Sequence, residues 1–327
     1  MKRFCAVLMT LLLVLGILGI SGCGEKPENK VVLYSSAEDY RNEYYLKRLK
    51  EQFPNYDITI EYLSTGNHAA KLKAEGMNTG CDIVLELEYG YLEMVKDNLA
   101  DLSSYDLSQY EDGLVSPDKK YIPETRNSGC IIVNTDTLKK KGLSEPTSYE
   151  DLLDPKYKGL ISMPNPKSSG TGYMFLKALV NKWGEDEAFS YFDKLSENIL
   201  QFTSSGSGPV NALVQGEAAI GLGMTAQAVT QLNEGVPLKL IFFPEGAPYS
   251  MYGSAIIKGK ESRPAVKEVF DFINTTLIRE ENELYFPEII FKSGAASIEN
   301  YPENIQYADM SNDSIAEKER LLGKWNH

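Results

Sequence analysis

The sequence predicts an α/β protein of two domains, joined by two β crossovers and holding a ligand cleft between them. Three observations predict it. Short apolar runs rich in Val, Ile and Leu alternate with amphipathic helical stretches, the order that builds βαβ units and a mostly parallel sheet. The chain of 327 residues is long enough for two domains with cores of their own. Polar loops of Ser, Thr, Asn and Gly recur where strands turn into helices, at the sheet edge where ligands of such folds bind.

The first 22 residues read as a targeting segment, with Lys2 and Arg3 ahead of an apolar run from Ala6 to Ile20. That run is short for a bilayer span. The small pair Ser21 and Gly22 directly before Cys23 resembles the lipobox of bacterial lipoproteins, which implies a lipid on Cys23 and a protein anchored at the outer face of the cytoplasmic membrane. Residues 23–30 then form a polar tether. The formal charge of −13 and the pI of about 4.8 argue against nucleic acid as a partner. They leave room for an anionic ligand, since a pocket binds anions through neutral dipoles and N–H groups. Cys81 and Cys130 each follow a Gly and open an apolar run, so both read as core residues at strand starts, with a disulfide between them as the alternative.

In chain order, residues 31–35 form a strand and the stretch to Phe53 a helix, with Ser35 and Ser36 at the turn between them. Residues 57–63 alternate as a second strand, and Gly66 and Asn67 lead into a second helix. Residues 82–87 are a third strand, after which Glu86 and Glu88 fall on one side. Residues 130–134 are a strand placed at the crossing between domains, residues 135–141 help start the second domain, and 147–154 read as a short capped helix. A strand at 160–163 leads through Ser168, Ser169, Gly170 and Thr171 into a helix ending at Trp183.

Residues 201–207 read as a loop of small residues, carrying Ser204, Ser205 and Ser207. Pro209 opens a short helix, and a small-residue strand follows to Gly223. Thr225 starts a helix that Gly235 ends, and 238–243 is a strand. Residues 244–252 read as a turn-rich loop with Tyr249 and Tyr252, and 255–257 as the return crossing. The remainder is helical. Domain 1 is thus expected over 31–128 and 253–327, and domain 2 over 129–252.

One small-residue helix start is ordinary capping. Five of them, at Ser35 and Ser36, Gly66 and Asn67, Ser168 to Gly172, Ser204 to Ser207, and Thr225, point to a cleft lined by hydroxyl and N–H donors. Glu86 or Glu88 at a strand end could pair with an ammonium group there, and Tyr249 and Tyr252 either wall the cleft or pack the hinge.

The blocks VVLYSS, GCDIVLELEYGYLE, IIVNTDTL, MPNPKSSGTGYMFL, TSSGSGPVNALVQGEAAIGLG and FPEGAPYSMYGSAIIKG resemble the family 1 extracellular solute-binding proteins of ABC importers. Within them the chain is most similar to the branch of ferric-iron, 2-aminoethylphosphonate, sugar-phosphate and thiamine binders. The resemblance implies a type II periplasmic-binding-protein-like fold, a monomer that closes on solute, and delivery to a membrane permease and its ATPase. It implies no cofactor. Ferric binders of the branch use adjacent tyrosines in the second domain, often with an N-terminal His. Here MTAQAVTQ follows the GLG strand, His68 comes after the second strand, and Tyr44 and Tyr45 read as packing along the first helix.

A phosphate- or phosphonate-bearing solute, with 2-aminoethylphosphonate as its concrete form, is therefore the expected ligand, and ferric iron the alternative. An extracellular hydrolase is the alternative from another class. The only histidines are His68 and His327, with no GxSxG elbow, no metal-ligand spacing and no dinucleotide GxGxxG after a strand, so a hydrolase would have to rest on paired acids.

Overall fold

The computed structural model describes residues 28–294 and 297–327. The leader, Cys23 and most of the tether lie outside the described residues. Strand β1 (Lys30–Ser35) pairs in parallel with β2 (Asp57–Tyr62) and β3 (Ile83–Glu88). Helices α1 (Asp39–Gln52) and α2 (Thr65–Glu75) make the connections, and α3 (Tyr89–Val95) follows. This is the βαβ order expected, with Tyr45 and Leu49 on the buried side of α1.

The long strand β4 (Ile122–Asn134) ties the two halves together. Its first part, Ile122 to Ser128, runs antiparallel to β9 (Tyr249–Ile256), which also pairs with β3. Its second part, Gly129 to Asn134, lies between β7 (Ile220–Met224) and β8 (Leu238–Ile241). Beyond β7 come β5 (Ile161–Pro164) and the edge strand β6 (Ile199–Thr203), both parallel to their neighbours. The sheet order is β2-β1-β3-β9-β4-β7-β5-β6, with β8 on β4. The sheet is mixed instead of mostly parallel, because every pairing of the crossing strands is antiparallel.

Helices α4 (Thr135–Lys141), α5 (Gly170–Trp183), α6 (Glu185–Ser196), α7 (Gly208–Val214) and α8 (Thr225–Asn233) cover the second half. A π-helical turn (Ile273–Leu277) joins α9 (Pro264–Phe272) to α10 (Ile278–Leu284), and α11 (Ile315–Lys324) closes the chain. Leu33, Leu85, Ile122, Ile256 and Phe270 share one core, and Ile131, Ile161, Phe175, Ile220 and Leu222 another. Trp325 and Leu321 pack into the second core, although the sequence reading groups residues 253–327 with the first domain.

Two local readings change and one helix is new. Residues 249–252 are strand, not loop, because the ladder with β4 outweighs the Gly and Pro just before them. Residues 201–203 belong to β6, and α6 has no counterpart in the sequence reading. Cys81 and Cys130 are buried in separate apolar clusters and are not joined to each other. Burial pushes the Cys130 thiol up to about 12.

Candidate functional site

Where the lobes face each other they enclose a cavity of about 20 Å³, the room of one water. Ser36, Glu38, Tyr62, Thr65, Glu86, Asn127 and Tyr252 line it from one side, and Thr171, Gly206, Ser207 and Met224 from the other. Among the described residues no Lys or Arg lines it. Beside it the lobes touch through backbone: the Gly66 N–H donates to the Ser168 carbonyl at 3.2 Å. A Cβ on Gly66 would come within 2.7 Å of the Lys167 carbonyl oxygen, so only glycine allows this approach.

Glu86 is the most constrained residue of the site. Its φ is +47°, in the left-handed region, and the β3–β9 register slips between Val84 and Leu87. A non-glycine residue held there costs on the order of 1–3 kcal/mol. The slip breaks the two-residue alternation of β3, so Glu86 and Glu88 do not share one side as their spacing suggests. Glu86 Oε1 accepts from Arg41 Nη1 at 2.8 Å, Thr125 Oγ1 at 2.5 Å and Asn127 Nδ2 at 3.1 Å. Its other oxygen, Oε2, is buried and has no partner among the described residues. Burial raises the Glu86 carboxyl above its ordinary range, against the pull of Arg41.

Behind Glu86 lies a buried network. Arg41 is fully buried, with Glu38 at 3.0 Å, Glu281 at 2.6 Å and the Phe286 ring centre 4.4 Å from its guanidinium carbon. Glu124 accepts from the Glu86 N–H at 2.7 Å and from Ser254 Oγ, and its Oε1 lies 2.9 Å from the Tyr45 hydroxyl. That hydroxyl is 2.6 Å from Glu281. Burial, then the neighbouring Glu86 and Glu281, push the Glu124 carboxyl up to about 8. Oxygens of Glu86, Glu124 and Glu281 lie within 4.8 Å of one another. Acid exceeds base in this region, and it suits positive charge in the cavity.

His68 is also fully buried, with Nδ1 2.9 Å from Ser36 Oγ. Burial, and to a lesser extent Lys71, push it down to about 3, so the imidazole is neutral and fixes the Ser36 hydroxyl at the cavity wall.

Of the residues expected at a cleft, Ser36, Glu86, Thr171, Ser207 and Tyr252 line this cavity. Ser205 stands beside it, 3.0 Å from Ser207 Oγ. The others are engaged elsewhere. Ser35 Oγ accepts from the Ala37 N–H, and Ser169 Oγ caps α5. Gly66, Ser168 and Gly170 form the contact between lobes, while Asn67 and Ser204 face solvent. Glu88 is buried against Lys318 and is not free for a ligand. Thr225 Oγ1 is 2.9 Å from Ser128 Oγ. Tyr249 points to the opposite face of the crossing strands, its ring against Tyr307.

Glu38, Tyr62, Thr65, Asn127 and Met224 were not expected. Asn127 lies in β4 ahead of residues 130–134, the only part of that strand the sequence marks. The polar stretch ETRNS, unusual inside a buried strand, is the signal that could have drawn attention to β4.

Residues 54–287 match the family model of the bacterial extracellular solute-binding proteins. The chain belongs to this family. An uncharacterised protein of Haemophilus influenzae is 30% identical over 298 residues, 84% of this chain and 80% of that one. A protein of Salmonella typhi described as 2-aminoethylphosphonate-binding and periplasmic is 25% identical over 79% of this chain and 82% of its own. Iron uptake protein A1 of Synechocystis is 22% identical over 83% of this chain and 81% of its own. The periplasmic binding protein AfuA of Actinobacillus pleuropneumoniae, solved with fructose-6-phosphate, superposes with a TM-score of 0.78 at 26% identity, covering 90% of this chain and 97% of that one.

As a solute-binding protein of this family, the chain has the type II periplasmic-binding-protein architecture, with helices flanking a mixed α/β sheet. The family and the fold are those of non-catalytic binding proteins that serve ABC importers outside the cytoplasm. Among the described residues no helix is long and apolar enough to cross a membrane.

Proposed function

We propose that this solute-binding protein captures a solute that brings positive charge against Glu38 and Glu86, and that ferric iron is that cargo. The observation that carries the reading is the Oε2 of Glu86, buried and without a partner among the described residues, in a cavity of about 20 Å³. A single ion fits that space with the lobes closed. Two carboxylates, Glu38 and Glu86, and two phenols, Tyr62 and Tyr252, offer the hard oxygen donors a small, highly charged cation prefers. They would stand in place of the adjacent tyrosine pair that the sequence lacks after β7. Burial of Tyr252 and partial desolvation of the more exposed Tyr62 hold both phenols above their ordinary range, so a metal must displace their protons and its capture weakens as pH falls.

A second reading is favoured by the opposite wall. Thr171, Gly206 and Ser207 present hydroxyl and amide groups facing the acids. A zwitterion such as 2-aminoethylphosphonate would set its ammonium on Glu86 and its oxyanion on this wall, with the lobes less tightly closed. The lipid anchor on Cys23 and the monomeric state belong to the same proposal.

The test is a thermal-shift titration of the metal-free protein with ferric citrate, 2-aminoethylphosphonate and fructose-6-phosphate. Iron capture requires stabilisation by ferric citrate, a visible phenolate-to-iron absorption band, and weakening of that band in Tyr252→Phe. Stabilisation by the phosphonate alone would replace iron by the zwitterion. Stabilisation by neither, or by the sugar phosphate only, would remove the positive-charge reading.

A further inference from the structure

Successive residues of β4 face opposite sides of the sheet. Thr125 and Asn127 meet Glu86, so Arg126 and Ser128 point away from the cleft. There Arg126 borders a second cavity, of about 460 Å³, walled by Tyr301, Tyr307, Pro287, Ile298 and Ile305. Arg126 has no carboxylate partner among the described residues, and its Nε is buried without an acceptor. Its guanidinium carbon lies 5.6 Å from the ring centre of Tyr249 and 5.7 Å from that of Tyr307. Two acids line the cavity: Glu303, exposed to solvent, and Glu288, which is occupied in accepting from Ser128 Oγ, Tyr301 and Tyr307, each at 2.7 Å.

We propose that this cavity is a second ligand site, taking a small organic monocarboxylate whose anionic end meets Arg126 and whose apolar body lies among the isoleucine, proline and tyrosine side chains. The volume falls in the range of small-molecule pockets. A guanidinium with an idle donor, framed by two aromatic faces, is the group that recognises a planar carboxylate. The site adjoins the point where β4 changes partners between Ser128 and Gly129, so its occupant sits at the hinge and apart from the cargo.

The experiment is a fluorine NMR titration of the whole protein with para-fluorobenzoate, and with neutral para-fluorobenzamide as control. Saturable binding of the benzoate, weaker binding of the amide, and a loss of about tenfold or more in Arg126→Gln are expected. Ile289→Glu, which changes a 55% exposed side chain at the rim, should weaken the benzoate without touching the core, and serves if the arginine variant does not fold. Glu86→Gln should leave the titration unchanged. No saturable benzoate binding, equal binding of the amide, indifference to Ile289→Glu, or loss in Glu86→Gln would each overturn the proposal. None of these outcomes depends on which cargo the cleft takes.

Discussion

Glu124 gives the buried acid network a pH dependence that can be measured without knowing the cargo. Its carboxyl is raised from the ordinary value of 4.5 to about 8. At neutral pH the folded protein therefore keeps a proton that the unfolded chain has lost. With the Tyr45 hydroxyl donating to Glu281, a proton on Glu124 Oε1 is donated to the Tyr45 oxygen, and Oε2 still accepts from the Glu86 N–H and Ser254. Because the native state binds more protons than the unfolded state between these two values, stability is greatest below pH 4.5 for this group and falls as pH rises towards 8. At about 1.4 kcal/mol per pH unit the whole contribution is on the order of 5 kcal/mol. Glu124→Gln mimics the protonated form: its amide nitrogen donates where Oε1–H did, and its oxygen accepts where Oε2 did. In urea denaturation series across this range, the variant should lose most of the downward slope and exceed the wild type in stability near pH 8. A variant with the wild-type slope, or one destabilised at pH 8, would mean that Glu124 is ionised in the fold and that the proton assignment is wrong.

Lys318→Met leaves Glu88 buried without its partner, and should cost about 3–5 kcal/mol in urea denaturation. Adding Glu88→Gln should restore much of that loss. Gly66→Ala places a Cβ against the Lys167 carbonyl of the other lobe, so the isolated lobes keep their stability while closure is blocked. Small-angle scattering should show a variant that stays open when cargo is added. Ser169→Ala removes the cap of α5 and should lower stability by about 1 kcal/mol with cargo affinity unchanged, which paired denaturation and binding titrations would check.

The order of strands and helices was legible because each element carries its own period, as Tyr45 and Leu49 do on α1. The small-residue loops also marked one wall of the cleft, and Thr171 and Ser207 line it. What local reading could not reach was which hydroxyls are already spent. Ser169 looks like an anion donor in sequence, yet its Oγ satisfies the first turn of its own helix, a choice settled by backbone geometry. Glu86 and Glu88 look equivalent at spacing two, and the irregularity in β3 sends one to the cleft and the other to a lysine from the far end of the chain. A partner 230 residues away leaves no local trace in the sequence.

That distant pair also bears on how cargo can control closure. Lys318 lies on α11, which packs into the second core through Leu321, while Glu88 ends β3 of the first. The ammonium stands 4.0 Å from the ring centre of Tyr91 and 4.3 Å from that of Tyr173, so it is gripped by both lobes. If this contact strongly favoured closure, the empty protein would already be shut and cargo could shift nothing, since a ligand moves an equilibrium only by its differential affinity. A buried ion pair does not act that way. The desolvation of both charges cancels most of their attraction, so the formed pair is close to neutral, whereas a mismatched arrangement that strands either charge is heavily penalised. Lys318 and Glu88 therefore fix which closed arrangement is reached, and on the proposed reading a charge brought to Glu86 in the cleft would supply the energy for reaching it.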